Sequence, residues 1–233
     1  MSLKHEGQEL WNAAYSRGGN ILFYPHEEII RFINKYVRKR EGISEFRNVM
    51  PLSESEWKSF ASLDLGCGIG RHVKYLDECG LNPYGVDLSD TAISMGKRWF
   101  ESIGKPELSE RLTVGSVTAL PYEDNFFDIC VSHGVLDSMP REIALKGLQE
   151  AYRVLKRNGL MYFDLIMDEA RGSKDEVVDF GYEEGTIQSY FTIEGIKEFV
   201  GSRCEIIDFK IIVWNDDKWN EINRRAHIII KKK

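Results

Sequence analysis

The stretch that decides the fold is Ser62-Leu63-Asp64-Leu65-Gly66-Cys67-Gly68-Ile69-Gly70-Arg71-His72. An apolar run short enough to be a buried strand stops at three alternating glycines, and a helical pattern begins directly after them. Glycine at alternate positions removes the Cβ atoms that would keep a ligand off the backbone, and the unpaired N–H groups of the next helix attract an anionic group. The acid two residues before the first glycine narrows the ligand. Asp64 sits badly beside a pyrophosphate but suits an ammonium group. The glycine spacing, Gly66, Gly68 and Gly70, is G-x-G-x-G and differs from the G-x-G-x-x-G of dinucleotide-binding turns.

A second landmark is Tyr84-Gly85-Val86-Asp87-Leu88, a short apolar run ending in an acid about 20 residues after the first glycine. At the end of a second parallel strand, Asp87 would accept hydrogen bonds from both hydroxyls of a ribose. S-adenosylmethionine (SAM) carries an ammonium, a positive sulfur, a carboxylate for the helix N-terminus and a ribose diol. It is therefore the expected cofactor, with S-adenosylhomocysteine as its product.

Further blocks follow in order: Leu120-Pro121-Tyr122-Glu123-Asp124-Asn125-Phe126-Phe127-Asp128, then Glu150-Ala151-Tyr152-Arg153-Val154-Leu155-Lys156-Arg157-Asn158-Gly159-Leu160. Together with the glycine stretch and Gly85-Val86-Asp87-Leu88-Ser89, they resemble the class I SAM-dependent methyltransferases, over residues 60–166. The closing Arg225-Ala226-His227-Ile228-Ile229-Ile230 resembles the last strand of the small-molecule members of the tellurite-resistance and ubiquinone-biosynthesis type. The resemblance implies an α/β fold: a Rossmann-like, doubly wound, seven-stranded sheet, mostly parallel, with an antiparallel C-terminal hairpin strand. It implies a helical cap over residues 1–58 and a methyltransferase domain over 59–233. Cofactor contacts then fall to Asp64, Gly66, Cys67, Gly68, Gly70, Asp87, Leu88 and His133, with Trp11 and Tyr15 contributed by the cap. In similar enzymes the third strand ends in an acid that meets the adenine amino group; here Ser116 stands in that place, and the backbone N–H of Val117 would serve the ring nitrogen.

The chain has 233 residues, 42% of them hydrophobic, which suits one ordinary domain with a sizeable core. A net charge of -6 argues against a protein built mainly to hold nucleic acid. Cys67, Cys79, Cys130 and Cys204 lack C-x-x-C spacing and read as reduced, buried thiols, not as a disulfide or zinc site. No apolar run approaches the roughly 18 residues that span a bilayer, and residues 1–7 are polar, so the expected location is the cytoplasm without membrane contact. Oligomeric state is not encoded in any pattern found.

Along the chain, residues 8–20 read as a short helix ended by Gly18-Gly19, either packing Leu10, Trp11 and Tyr15 on the core or closing Trp11, Tyr15 or Arg17 over the cofactor. Ile29, Ile30, Ile33 and Val37 predict a helix over 26–41, whose Lys35, Arg38, Lys39 and Arg40 form a solvated end. Residues 42–58 read as an irregular connector. Strands are expected at 61–65, 83–87, 111–115, 127–132 and 160–166, with helices at 70–79, 89–103 and 140–156, the last ended by Asn158-Gly159. Residues 167–190 are polar and acidic without periodicity and read as a substrate-side flap holding Arg171, Tyr182 and Tyr190. A helix at 192–201, capped by Thr192, precedes two strands, 205–214 and 222–230, joined by a turn at Asn215-Asp216-Asp217-Lys218.

Methyl transfer from SAM is an in-line displacement at an already activated carbon, so the protein must align the reactants and exclude water, and it needs a base only where the nucleophile starts protonated. By the rule that ligands sit at strand ends beside the switch in strand order, the loop Ser132-His133-Gly134-Val135-Leu136-Asp137 faces the methyl group. His133 is the candidate base, the alternative being a ring that merely caps the strand. Asp137, Arg171 and Tyr190 are candidate substrate contacts, although an acid before a helix also serves as a cap. His227 on its strand reads as a packed side chain. Ser132-His133-Gly134-Val135 is not the Asn-Pro-Pro-Tyr type that clamps a base amine, and no acidic cluster marks a metal site. The expected partner is a small-molecule acceptor. A protein or RNA acceptor, a non-catalytic SAM-binding domain and, less favoured, a nicotinamide-dependent oxidoreductase stay open.

Overall fold

A computed structural model describes residues 3–216 and 221–233. The chain begins with helix α1 (Leu3–Ser16), followed by α2 (Glu27–Phe32), which runs on as a π-helical turn (Ile33–Val37). Strands β1 (Arg38–Arg40) and β2 (Phe46–Asn48) form a small antiparallel pair, and α3 (Glu54–Lys58) leads into β3 (Ser62–Leu65). Then come α4 (Arg71–Glu78), β4 (Pro83–Asp87), α5 (Asp90–Ser102), α6 (Pro106–Ser109), β5 (Leu112–Val114), β6 (Phe127–Ser132) and α7 (Arg141–Val154). The remainder is β7 (Leu155–Met167), the hairpin strands β8 (Lys174–Val177) and β9 (Ile187–Tyr190), α8 (Ile193–Val200), β10 (Cys204–Asp216) and β11 (Glu221–Lys232).

The central sheet has seven strands in the order β10-β11-β7-β6-β3-β4-β5. Strands β3 to β7 of this sheet run parallel, and β11 pairs antiparallel with both β7 and β10. This is the doubly wound, mostly parallel sheet with an antiparallel C-terminal hairpin that the sequence predicts. The chain winds outward from β3 through β4 to β5, then crosses back to β6 on the other side of β3. The strand order switches direction between β3 and β6, and in sheets of this kind ligands bind at the carboxyl ends of the strands beside such a switch.

Strands buried on both faces need apolar residues in both registers. Leu63 and Leu65 join Cys130, Met161, Phe163, Leu165, Ala226 and Ile228 in the core under α7 and α8. Ile129, Val131, Leu160 and Tyr162 instead meet Ile29, Phe32, Ile33 and Leu76 from α2 and α4. Each such fully buried large side chain contributes about 1.5–3 kcal/mol. The four cysteines are buried and unpaired. Among the described residues, no helix is long and apolar enough to cross a membrane.

Several boundaries differ from the sequence reading. The helix expected over 26–41 stops at Val37, and Arg38, Lys39 and Arg40 are a strand, not a solvated helix end. Tertiary partners explain the break: Arg38 Nη1 donates to the Cys79 carbonyl at 2.8 Å, its guanidinium covers the Phe46 ring, and the Val49 and Met50 N–H groups both bond to the Val37 carbonyl. The supposed connector 42–58 holds β2 and α3. A capping box, Ser53 with Glu56, starts α3, and Trp57 stacks on Phe60 at 4.9 Å. The helix over 140–156 ends at Val154, because Leu155 is already extended and pairs with Phe127. The short α6 went unseen. Residues 167–190 contain a hairpin; β8 alternates half-buried and exposed residues, and the one buried residue of β9 is Ser189, so there is no apolar stripe for sequence to show. Part of the final turn, Asp217 and Lys218, lies outside the described residues.

Candidate active site

The glycine turn after β3 is made by backbone that only glycine adopts without strain. Gly66 has φ +70, and a Cβ there would lie 2.4 Å from a methyl of Val135, so the loop after β6 leans directly on the turn after β3. At Gly68, φ +55, a Cβ would lie 2.5 Å from the Tyr15 hydroxyl, so α1 covers the turn. The buried Asp87 carboxylate ties the two strand tips together: Oδ2 accepts the Gly68 N–H and Oδ1 the Ser89 N–H, both at 2.8 Å. Burial pushes its carboxyl up to about 6, against the pull of those donors. Of Ser89 and Asp90, either of which the sequence allows as the cap of α5, it is Ser89 that caps it, and its hydroxyl donates to Asn12 of α1 at 2.7 Å.

Asp64 is buried on the last turn of β3. Its Oδ1 lies 3.4 Å from His72 Nδ1, while Oδ2 has no partner among the described residues. A buried carboxylate oxygen left without a donor is costly, and an ammonium group beside the turn would satisfy it. The Val117 N–H likewise finds no acceptor among the described residues, while Ser116 Oγ bonds to Thr118 Oγ1 and accepts the Thr118 N–H. These open groups, the acid at the β4 tip and the bare glycine backbone fit a SAM-type cofactor. Cys67 is buried, with its thiol pushed well up by burial, and Gly70 precedes α4. Leu88 lies under α1, near Gly7, and Trp11 packs with Tyr15, Ile69 and Ala92.

Beside this turn, at the end of β6, His133 Nδ1 lies 2.8 Å from Asp164 Oδ2, a close contact without good hydrogen-bond geometry. Asp164 Oδ1 accepts the Gly134 N–H at 2.8 Å, and Arg225 Nη1 reaches Asp164 Oδ2 at 2.7 Å and Asp137 Oδ2 at 2.8 Å. Burial alone would raise the Asp164 carboxyl, but its neighbours His133 and Arg225 outweigh it and hold the group well below the usual carboxylate range. Asp137, fully buried, is pushed up to about 6 by burial in spite of Arg225.

Four imidazoles gather here. The His26 ring stacks on His133 with centroids 3.7 Å apart, lies parallel to His227 at 5.9 Å, and His72 meets His133 edge-on at 6.2 Å. His227 Nδ1 is 2.7 Å from the Tyr162 hydroxyl. Burial lowers the pKa of His26, to about 3, and of His72 and His227. These three rings are therefore neutral at ordinary pH.

The structure thus brings Asp64, Gly66, Gly68, Asp87, Tyr15 and His133 together around the carboxyl ends of β3, β4 and β6. Asp137 is not a helix cap, since Pro140 holds the N-cap position of α7 and no side chain caps that helix; it supports the network from behind, accepting the Ile166 N–H and, through its carbonyl, the Ser189 N–H. Arg171, in the turn before β8, covers the ring of Tyr190 at the end of β9 and is also paired to Asp168 and Glu176. Tyr182 packs against Gly19, and Arg17 donates to the Tyr182 carbonyl. Sequence reading missed His26, His72, Asp164, Tyr162 and Arg225. An acid inside the apolar run Tyr162-Phe163-Asp164-Leu165-Ile166, and a cation two residues before His227 on the same strand face, were the available signals.

Comparison with known proteins agrees with this geometry. Residues 63–163 match the methyltransferase domain family. An uncharacterized protein of Haemophilus influenzae is 33% identical over 42% of this chain and 39% of its own length. A malonyl-[acyl-carrier protein] O-methyltransferase of Pectobacterium atrosepticum is 29% identical over 46% of this chain and 38% of its own. The matches thus span about two fifths of those relatives. The crystal structure of a SAM-dependent methyltransferase from Methanosarcina mazei shares the fold, with a TM-score of 0.62, 21% identity, and coverage of 78% of this chain and 98% of that one. The stretch running from β3 into β7 thus matches a methyltransferase domain, and the sheet around it has the fold of a SAM-dependent methyltransferase structure.

Proposed function

We propose that this chain transfers the methyl group of SAM to a nucleophilic atom of a small-molecule acceptor. The observation that carries the reading is the pair of buried acids, Asp64 and Asp87, on either side of the glycine turn at the switch point of the sheet. Asp64, through its unpartnered oxygen, would hold the ammonium, and Asp87, through its remaining lone pairs, the ribose hydroxyls. Leu88, Ser116 and Val117 would border the adenosine. The bound cofactor supplies a methyl carbon already made electrophilic by positive sulfur.

The chain's own residues then align, desolvate and accept a proton. Asp164, ionised and fixed by Gly134 and Arg225, lies against His133 Nδ1 and would orient the ring so that Nε2 is the nitrogen left to face the acceptor. That nitrogen takes the acceptor's proton as its heteroatom bonds to carbon. The relative named for O-methylation makes an oxygen acceptor the first class to test.

The test has two arms. Calorimetry with SAM should show Asp64→Ala and Asp87→Ala each weakening binding by about 1.5–3 kcal/mol, the worth of hydrogen bonds to a charged group. Incubation of the protein with methyl-labelled SAM and a metabolite pool should yield labelled small molecules by mass spectrometry, and His133→Ala should slow their formation more than it weakens SAM binding. Unchanged affinity in both acid variants would remove the cofactor assignment, and label confined to protein or RNA would remove the acceptor class.

A further inference from the structure

We propose that His26 is a positioning residue for methyl transfer: its ring, delivered by the segment joining α1 to α2, stacks on His133 and holds that imidazole with Nδ1 toward Asp164. The inference rests on the reading of His133 as the proton acceptor. It starts from the closeness of the stack, 3.7 Å between centroids at an interplanar angle of 26°. Aromatic pairs ordinarily sit about 4.5–7 Å apart.

The His26 ring is itself held on several sides. Its Nδ1 accepts the Glu28 N–H at 3.2 Å as the N-cap of α2, which places its own proton on Nε2. Its backbone N–H donates to His72 Nε2 at 3.3 Å, so the His72 proton is on Nδ1, directed at Asp64. A continuous path therefore runs from Asp64 beside the glycine turn, through His72 and the His26 backbone, to the ring on His133 and on to Asp164.

Histidine is also an unexpected cap. Ser, Thr, Asp or Asn would cap α2 better, so the position gives up helix stability for a ring. That ring does not compete for the acceptor's proton, because burial has lowered its basicity far below that of an ordinary imidazole. His26 reaches His133 from a segment that begins at the end of α1, whose Tyr15 covers Gly68 and whose following Asn20 bonds Glu183 of the hairpin loop at 2.6 Å. The base is thus oriented by an element that must be docked over the cofactor turn, which ties closure to proton acceptance.

Two substitutions separate the two roles. His26→Asn keeps a capping side chain and removes the ring, whereas His26→Phe keeps a flat ring and removes the cap. Two readouts apply to each: the rate at which diethyl pyrocarbonate modifies His133, followed by peptide mass spectrometry, and the initial rate of label transfer from methyl-labelled SAM into a small-molecule fraction. The ring-less variant should show His133 modified about tenfold faster and label transferred about tenfold more slowly, with SAM affinity unchanged by calorimetry. The phenylalanine variant should restore both rates to within about threefold of wild type despite a lower melting temperature. Wild-type rates in His26→Asn, or equal defects in the two variants, would overturn the positioning role alone. Undiminished label transfer by His133→Ala would overturn it together with the proton-acceptor reading.

Discussion

Replacing Arg225 with methionine removes the guanidinium shared by Asp137 and Asp164 and leaves two fully buried carboxylates without a cation between them. Breaking a buried ion pair from one side costs about 3–5 kcal/mol. The two acids do not share that loss evenly. Asp164 keeps the Gly134 N–H and the His133 contact, whereas Asp137 keeps the Ile166 N–H, and burial already holds its carboxyl up to about 6. Asp137 is therefore the group that takes up a proton in the variant. An acid whose folded pKa is raised above its unfolded value adds stability that is fully present below the unfolded pKa and is lost as pH rises through the folded one. In the wild type this loss is complete once pH passes about 6. In Arg225→Met it continues at about 1.4 kcal/mol per pH unit, so the penalty grows by about 2.7 kcal/mol between pH 6 and pH 8. Urea unfolding of both proteins should show a penalty of about 1–2 kcal/mol at pH 6 and about 3–5 kcal/mol at pH 8. A penalty below about 1 kcal/mol at pH 8, or one equal at the two pH values, would refute the reasoning.

Other expectations are simpler. Gly66→Ala should destabilise by about 1–2 kcal/mol for the left-handed backbone and about 1–3 kcal/mol for the collision with Val135. Adding Val135→Ala should recover the second part alone in thermal melts; no recovery would mean that the collision is not the cause. His26, with its pKa depressed to about 3, contributes stability that is present above about 6.5 and lost as pH falls toward 3. Between pH 6.5 and 5 that amounts to about 2 kcal/mol before screening and about 1 kcal/mol for a half-buried ring, so His26→Asn should lose that much less stability than wild type over the same interval. A parallel pH profile for the two proteins would count against it. Lys232 Nζ donates to Asn125 Oδ1 and to the Tyr152 and Leu155 carbonyls. Lys232→Met should cost about 1–3 kcal/mol in denaturant melts by leaving those acceptors unpaired, and a neutral result would show that water replaces the ammonium.

What the amino-acid order determined by itself was everything written in short-range patterns. The strand before Gly66, the turn chemistry of Gly66 and Gly68, the Ser89 and Thr192 caps, and the acids Asp64 and Asp87 depend on neighbours within a few residues, so spacing revealed them. The class of fold followed because those patterns recur in order from one end of the parallel sheet to the other. Only tertiary structure decided the rest. Arg38 leaves the helical register because its partners are Cys79 and Phe46, and the hairpin at β8–β9 forms although nothing in its alternation announces a buried face.

The same limit governs the site. Asp137 looked like a cap because the helix after it is near in sequence, yet its charge is answered by Arg225, 88 residues away. His26, His133 and His227 come from three distant segments and carry no common spacing. They meet because β11 lies beside β7 and α2 covers that face of the sheet, which brings together side chains whose energetic meaning, a stack or a buried ion pair, exists only once water has been excluded between them.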